Sequence, residues 1–299
     1  MEPVRFGVLG ARSFIARAAV MPAIEAAAGA TLVAVGSRTG AVPDDLAHLD
    51  AGSYEAVLAH PDVEAVYLPL PNGMHADWVG QAAAAGKHVL CEKPLARSAA
   101  EAKKMAHLCQ QAGVLLAEAW MTPFNPPWSA AVRDAEDGAI GEVRSVRGEF
   151  TFTIPPGREA DYRWDPEQGG GSLLDVGIYA TGAAVALWGP EPATVEAAAY
   201  RTARGVDATI EVFLAWEGGR TATAQCSFEL PDRQRLELVG VDGRITLDGT
   251  PFTGEGVTAY LGMVEAFAAA VRGGRPWPRP VAESIALARL IDRVLEAAG

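Results

Sequence analysis

Val4-Arg5-Phe6-Gly7-Val8-Leu9-Gly10-Ala11-Arg12-Ser13-Phe14-Ile15-Ala16 is the stretch whose reading decides the fold. Residues 4–9 form an apolar run of strand length that stops at a glycine. Residues 15–28 then have helical composition and stop at Gly29, a residue that ends helices readily. A buried strand turning through glycine into a helix is the first half of a βαβ unit. The pattern repeats outward from there. Strands are expected at residues 31–36, 65–70, 87–91 and 114–121. Helices are expected at residues 76–85, and from Ser98, with Glu101 as its capping-box partner, to about residue 112. Apolar strands separated by helices make a parallel sheet, and a doubly wound sheet closes it with right-handed crossovers.

The repeat breaks at Thr122-Pro123-Phe124-Asn125-Pro126-Pro127. Three prolines in so short a stretch read as a domain boundary. After a helical stretch at residues 129–136 the texture changes to alternating apolar and polar residues. Strands are expected at residues 143–154, 194–200, 208–216, 221–229, 236–241 and 244–247. Glu217-Gly218-Gly219 and Asp242-Gly243 are hairpin signals, so this sheet is expected to be mainly antiparallel. Two helices follow, at residues 257–271 and 281–298. The fold class is therefore α/β, with residues 1–121 as the first domain and 122–299 as the second, the last helix being a candidate to pack back on the first domain.

A chain of 299 residues suggests about two domains. With 49% hydrophobic and 21% charged residues it is not a disordered chain. Its formal charge of -12, without a basic run, argues against a nucleic-acid or anionic-membrane partner. Cys91, Cys109 and Cys226 are too few and scattered for a disulfide framework, which favours a reducing cytosol. The N-terminus lacks the regions of a signal peptide. The most apolar stretch, residues 173–188, is interrupted by Asp175 and is too short to span a bilayer.

The turn from Gly10 to Ala16 lies where a dinucleotide fingerprint, G-x-G-x-x-G, would stand. The first glycine is present. Arg12 replaces the second, and Ile15 or Ala16 the third. An ordinary strand-to-helix turn is the alternative reading. A helix N-terminus here would offer N–H groups and a positive dipole end to a pyrophosphate, with Ser13 and Phe14 beside it. The second strand ends in Gly36-Ser37-Arg38-Thr39, without the carboxylate that usually meets a 2′-hydroxyl. Arg38 can pair with a 2′-phosphate and Ser37 can donate to it, so NADP(H) is favoured over NAD(H). A solvated surface arginine is the other reading.

Cys91-Glu92-Lys93-Pro94 follows a strand whose C-terminus faces the ligand crevice of a doubly wound sheet. Lys93 there can orient a substrate oxygen and lower a neighbour's pKa, or be a surface lysine on a turn. Gly169-Gly170-Gly171-Ser172-Leu173-Leu174-Asp175-Val176-Gly177-Ile178-Tyr179 is the second constellation. Three glycines permit close approach to a ligand. Asp175 reads as a capping-box acid behind Ser172 or as a carboxylate aimed into a crevice. Tyr179, four residues on, shares its helical face and reads as a core tyrosine or a general acid/base. The histidines and cysteines show no metal-ligand spacing, so no metal is expected. His75 reads as lining the nicotinamide side or as a cap. Neither a G-x-S-x-G elbow nor a Walker loop is present.

Taken in order, the glycine turn, Ser37-Arg38, Leu70-Pro71-Asn72 with His75, Glu92-Lys93-Pro94 and the Gly-Gly-Gly-Ser to Tyr179 run resemble the glucose–fructose oxidoreductase / inositol dehydrogenase (Gfo/Idh/MocA) family. The branch they resemble holds dimeric dihydrodiol dehydrogenase, NADP-dependent xylose dehydrogenase and deoxysugar ketoreductases. The resemblance implies a Rossmann domain followed by an open, mostly antiparallel α/β domain. It implies Lys93, Asp175 and Tyr179 as catalytic residues, where many relatives carry His in place of the tyrosine. It implies Leu70, Pro71, Asn72, His75, Glu92, Arg163 and Trp164 as cofactor contacts. Trp120, Asn125 and Tyr162 are the candidate substrate contacts; Asn125 stands where relatives often have His. The implied activity is NADP(H)-dependent oxidoreduction of a secondary alcohol or ketone on a sugar, sugar derivative or cyclic diol, by a homodimer or homotetramer. An NADP-binding regulatory protein without turnover, and a sugar–sugar oxidoreductase with tightly held cofactor, are the alternatives.

Overall fold

The computed structural model describes residues 2–299. The chain divides into two compact units. One takes in the described residues up to Ala96, with Ala100–Phe124 and Glu255–Ser284; the other takes in Arg97–Ala99, Asn125–Gly254 and Ile285–Gly299.

In the first unit, β1 (Val4–Leu9), β2 (Ala30–Gly36), β3 (Asp50–Gly52), β4 (Ala65–Leu68), β5 (His88–Glu92) and β6 (Leu116–Ala119) form one parallel sheet in the order β3-β2-β1-β4-β5-β6. The strand order reverses between β1 and β4, which opens a crevice at their carboxyl ends. The inner strands are covered on both faces, so β4 is buried along its whole length.

The first helix differs from the continuous one expected. Residues Ala16–Val20 make a π-helical stretch, and α1 is only Met21–Ala26. Pro22 is the reason: its ring has no N–H and crowds the carbonyl one turn back, so the turn before it widens. The crossover after β2 contracts to α2 (Tyr54–Ala59), capped by the Ser53 hydroxyl accepting from the Ala56 N–H. Helices α3 (His75–Ala84) and α4 (Ala99–Ala112) complete the crossovers near the expected positions.

The second unit begins with α5 (Pro126–Glu136). The prolines read as a break are its first residues, where a missing N–H costs nothing. Its sheet contains β7 (Val143–Thr151), then, beyond α6 (Ser172–Trp188), β8 (Thr194–Arg201), β9 (Asp207–Trp216), β10 (Arg220–Ser227), β11 (Arg233–Gly240) and β12 (Arg244–Asp248). The order is β12-β11-β7-β10-β9-β8, and all neighbours are antiparallel except β7 and β10. Helix α6 lies against one face of this sheet. It sits so close to β7 that a Cβ on Gly148 would lie 2.0 Å from the Ala180 carbonyl oxygen.

The two units are discontinuous in sequence, unlike the single division after residue 121. Helix α7 (Thr258–Val271) buries Ala259, Tyr260, Met263, Val264, Phe267 and Ala268, a one-sided stripe at helical spacing. It packs on α1, and Phe267 meets Phe6 of β1 with ring centroids 5.7 Å apart. It is therefore α7, not the last helix α8 (Val281–Ala297), that joins the first sheet; from Ile285 onward α8 counts with the second unit. No helix among the described residues is long and apolar enough to cross a membrane.

Candidate functional site

At the strand-order reversal, Gly10 adopts φ 144°, and a Cβ there would lie 2.9 Å from the Pro69 ring. Only glycine lets β1 end so near the residue that follows β4. The N–H groups of Gly10 and Ala11 both donate to the Gly36 carbonyl, at 3.0 and 2.8 Å, which ties the turn to the end of β2. Beyond it, Ser13 and Ile15 are half-buried, Arg12 is exposed and Phe14 is 84% exposed. A phenylalanine this open is one of the few large apolar side chains displayed anywhere on the described surface.

At the end of β2, Ser37 and Arg38 part ways. Ser37 is buried, and its hydroxyl donates to the Ala41 carbonyl at 2.8 Å. Its proton is thus committed to the loop rather than held out for a phosphate. Arg38 is exposed beside Tyr54, whose phenol burial pushes up while the Arg38 charge opposes the shift. Among the described residues no ion pair joins Arg12 or Arg38 to a carboxylate. Two such cations near a tight glycine turn fit a dinucleotide that carries an extra phosphate.

The Lys93 turn is braced from within. Glu92 accepts from the Tyr67 hydroxyl at 2.6 Å and from the Lys93 N–H at 3.2 Å. The Lys93–Pro94 peptide bond is cis. His75 is fully buried, and its ring nitrogens face main-chain carbonyls: Nε2 that of Leu70 at 2.9 Å, Nδ1 those of Pro94 and Leu95 at 3.1 and 3.3 Å. Burial holds its pKa below the ordinary value. His75 therefore clamps the Leu70-Pro71-Asn72 turn to the Lys93 turn instead of presenting its ring to a nicotinamide. Asn72 is buried at the start of that turn, and the Pro71 carbonyl accepts from the Met74 N–H.

In the second unit two of the three glycines, Gly170 and Gly171, approach the protein itself. A Cβ on Gly170 would lie 2.4 Å from the Arg163 carbonyl oxygen, and one on Gly171, with φ 114°, as close to the Asp207 carboxylate. The Gly170 and Gly171 N–H groups donate to the carbonyls of Asp165 and Arg163. This clamp lays residues 161–165 against the start of α6. Arg163 Nε then donates to Asp175 Oδ2 at 2.6 Å, while Nη1 reaches Asp161 at 3.3 Å. Burial opposes the charge on Arg163, but Asp175, Tyr162 and Asp161 outweigh it, so its pKa lies above the ordinary value.

The capping-box reading of Asp175 is corrected by the same geometry. Gly171 is the N-cap of α6, with no side-chain cap of its own. Asp207, from the start of β9, accepts from the Leu173 N–H at 2.7 Å and the Ser172 hydroxyl at 2.8 Å. Asp175 is 5% exposed and bonded to Arg163. Tyr179, one turn later, is buried against Phe150 and Phe252, with centroids 5.2 and 6.2 Å away.

The candidate substrate contacts separate. Asn125 is buried, and its Nδ2 donates to the Pro251 carbonyl at 2.7 Å and that of Thr250 at 3.4 Å. Its amide is spent holding residues 250–251. Trp120 is buried, with the Arg279 guanidinium 4.3 Å from its ring. Tyr162 is half-buried, its ring 4.8 Å from the Arg163 guanidinium, and Trp164 meets Phe228 edge-on at 5.4 Å. Asp207 escaped the sequence reading because its partners, Ser172 and Leu173, lie in another segment; Asp161 escaped it although its partners, Arg158 and Arg163, are within three residues. Among the described residues no group of three His, Cys, Asp or Glu is placed to hold a metal ion.

Residues 4–119 match an oxidoreductase family with an NAD-binding Rossmann fold, and residues 129–246 match the GFO/IDH/MocA C-terminal domain. D-Xylose 1-dehydrogenase (NADP(+)) 2 of Haloferax volcanii is 37% identical, over 98% of this chain and 97% of its own. The chain belongs to the GFO/IDH/MocA oxidoreductase family. The dTDP-3,4-didehydro-2,6-dideoxy-alpha-D-glucose 3-reductase of Saccharopolyspora spinosa is 41% identical, over 83% of this chain and 75% of its own. A point mutant of KijD10, a 3-ketoreductase from Actinomadura kijaniata in complex with TDP-benzene and NADP, superposes with a TM-score of 0.91 at 29% identity, over 99% and 98% of the two chains. The family and the α/β architecture expected from the motifs are thus both borne out. The chain is an oxidoreductase.

Proposed function

We propose that the chain is an NADP(H)-dependent oxidoreductase that interconverts a secondary alcohol and a ketone on a sugar, a sugar derivative or a cyclic diol. The observation that carries the reading is the Arg163–Asp175 pair, a buried carboxylate gripped at 2.6 Å one helical turn before Tyr179. A carboxylate kept in place by a guanidinium is the kind of fixed group that orients a reacting partner. Exposed Arg38, with no carboxylate at the end of β2, supports NADP(H), as do the names of the Haloferax relative and the KijD10 complex.

Bound NADP(H) supplies or takes up the hydride. Tyr179 exchanges the hydroxyl proton with the substrate oxygen. Lys93 orients that oxygen. Asp175 holds the substrate. Glu92, Tyr67 and His75 keep the Lys93 turn in shape.

Tyr179→Phe and Lys93→Met are expected to lower kcat by about a hundredfold or more, the usual weight of a general acid/base. NADP(H) affinity, read by fluorescence titration, is expected to stay within about twofold. Loss of cofactor binding in step with turnover would show that these residues build the dinucleotide site instead.

The aldose–aldose oxidoreductase of Caulobacter crescentus, with a TM-score of 0.84 at 26% identity over 99% of this chain, favours a second reading, in which one sugar is oxidised and another reduced. Cofactor that survives purification and turns over with two sugars would select it. The α6-free face of the second sheet shows Tyr200 and Phe213, 65% and 37% exposed, and we assign it to a homodimer or homotetramer contact. A monomeric mass in solution would remove that assignment.

A further inference from the structure

Glu118 is a carboxylate inside β6, a strand buried along its whole length. An ionised carboxylate so placed is costly unless it is paired and hydrogen-bonded. Two groups of the first unit meet it. Oε1 accepts from the Leu95 N–H at 2.8 Å, and Oε2 lies 3.4 Å from Arg279 Nη1.

Arg279 is itself confined. Its side chain is 11% exposed, its guanidinium lies 4.3 Å from the Trp120 ring, and its Nε is 3.8 Å from the Glu283 carboxylate. Stacking on an aromatic face fixes the plane of a guanidinium and the direction of its donors. Two residues back, Trp277 is buried against Phe124 and Phe267, with ring centroids 5.8 and 6.1 Å away, which anchors the segment that carries the arginine.

What the pair holds is the turn that carries Lys93. Leu95, two residues on, has its N–H fixed by Glu118. The carbonyls of Pro94 and Leu95 face His75 Nδ1, and the Lys93 N–H donates to Glu92. Side chains from three segments thus pin the main chain on both sides of Lys93. Two of the pins are neighbours: burial lowers the His75 pKa most, and the Glu118 charge opposes that shift. A backbone N–H bonded to a carboxylate makes a charge-assisted bond, about twice as strong as a neutral one. The Glu118 bond, at 2.8 Å, is the shorter of the two such bonds on this turn.

We propose that Glu118, kept in place by Arg279, is a positioning residue for Lys93: it fixes the path of the chain just past the lysine, and so where the ammonium group is presented. This rests on the reading of Lys93 as the group that orients the substrate oxygen, and deepens it.

The lysines of the chain are Lys87, Lys93, Lys103 and Lys104, so each side chain can be followed by itself. The test is reductive methylation of the full chain with isotope-labelled formaldehyde, read by NMR, with Lys93→Arg to assign the Lys93 resonance. In the wild type, half-buried Lys93 is expected to stand apart from exposed Lys103 and Lys104. Glu118→Leu and Arg279→Met are expected to move its resonance towards theirs. Glu118→Gln keeps an acceptor for the Leu95 N–H and should move it less, and it carries the test if Glu118→Leu does not fold. Arg279→Lys should return it part of the way from the Met position. Lys87, whose Nζ donates to the carbonyls of His60 and Val63, is the control for general loosening and should stay in place. Exchange of the Leu95 amide is expected to quicken by about tenfold in Glu118→Leu. A Lys93 resonance unmoved in folded Arg279→Met overturns the proposal, and so does a Lys87 resonance that moves with it. Undiminished turnover in Lys93→Met would strike the chemical role of Lys93, while the resonances would still decide whether Glu118 and Arg279 position it.

Discussion

Gly170 shows how much one missing side chain can determine. The glycine run was legible as a place of close approach, but what approaches is the chain's own Arg163 carbonyl. Gly170→Ala would place its Cβ where the structure leaves 2.4 Å, so residues 163–165 must shift, and Arg163 with them. We expect a loss of about 1–3 kcal/mol, as for other overpacked sites, with a larger fall in kcat than in stability would explain. Urea denaturation and turnover measured together check this; unchanged turnover in a folded Gly170→Ala would detach the clamp from the chemistry. Arg163→Met leaves Asp175 buried without its guanidinium and should cost about 3 kcal/mol, of the order found when one partner of a buried pair is removed. Arg163→Lys should recover only part of it, since one ammonium cannot reproduce two directed N–H contacts, on Asp175 and Asp161. Equal stability of the Met and Lys variants would contradict the geometry.

Between elements, the clearest tie is the one that closes α7 onto the first sheet. Arg272, just past α7, donates to the main-chain carbonyls of Glu2 and Pro3 and grips the Glu64 carboxylate beside the start of β4. Arg272 holds Glu64 down to about 2, from an ordinary 4.5. A carboxyl depressed in the folded state stabilises above its unfolded pKa, and that contribution is lost as pH falls through the folded value. The wild-type Tm should therefore fall more steeply between about pH 4.5 and 2 than that of Arg272→Met. Parallel Tm curves for the two proteins would show that the pair contributes nothing to folding. A helix at residues 257–271 was legible, but its destination was not. Periodicity says that a face is buried and is silent about which sheet buries it. The prolines at the start of α5 do two things at once: the division between the units falls between Phe124 and Asn125, and Pro126 and Pro127 are the first residues of α5.

For the molecule as a whole, a charge of -12 sets the background against which its cations act. Arg38 lies at the end of β2 without a carboxylate partner, so its removal should fall almost entirely on the cofactor that carries the extra phosphate. Arg38→Ala is expected to weaken NADP(H) binding by about tenfold to a hundredfold and to leave NAD(H) binding nearly unchanged, a difference that should shrink as salt rises. Calorimetric titration with both dinucleotides decides it; equal losses for the two would move the 2′-phosphate contact elsewhere, Arg12 being the next cation to test.

What the sequence determined by itself was whatever depends on residues near one another along the chain. Strand and helix alternation, the glycine turn after β1, the hairpins of the second sheet and the helical spacing of Asp175 and Tyr179 are all local, because a backbone's period and its turns are set within a few residues. What only the tertiary structure decided was who meets whom. Asp207 caps α6 from a different strand, Arg163 from the loop before α6 donates to Asp175, and His75 turns its nitrogens inward to the Leu70 and Pro94 carbonyls. The physical reason is the same in each case: a buried polar group must find a partner, and which partner it finds depends on packing between segments that no spacing along the chain records.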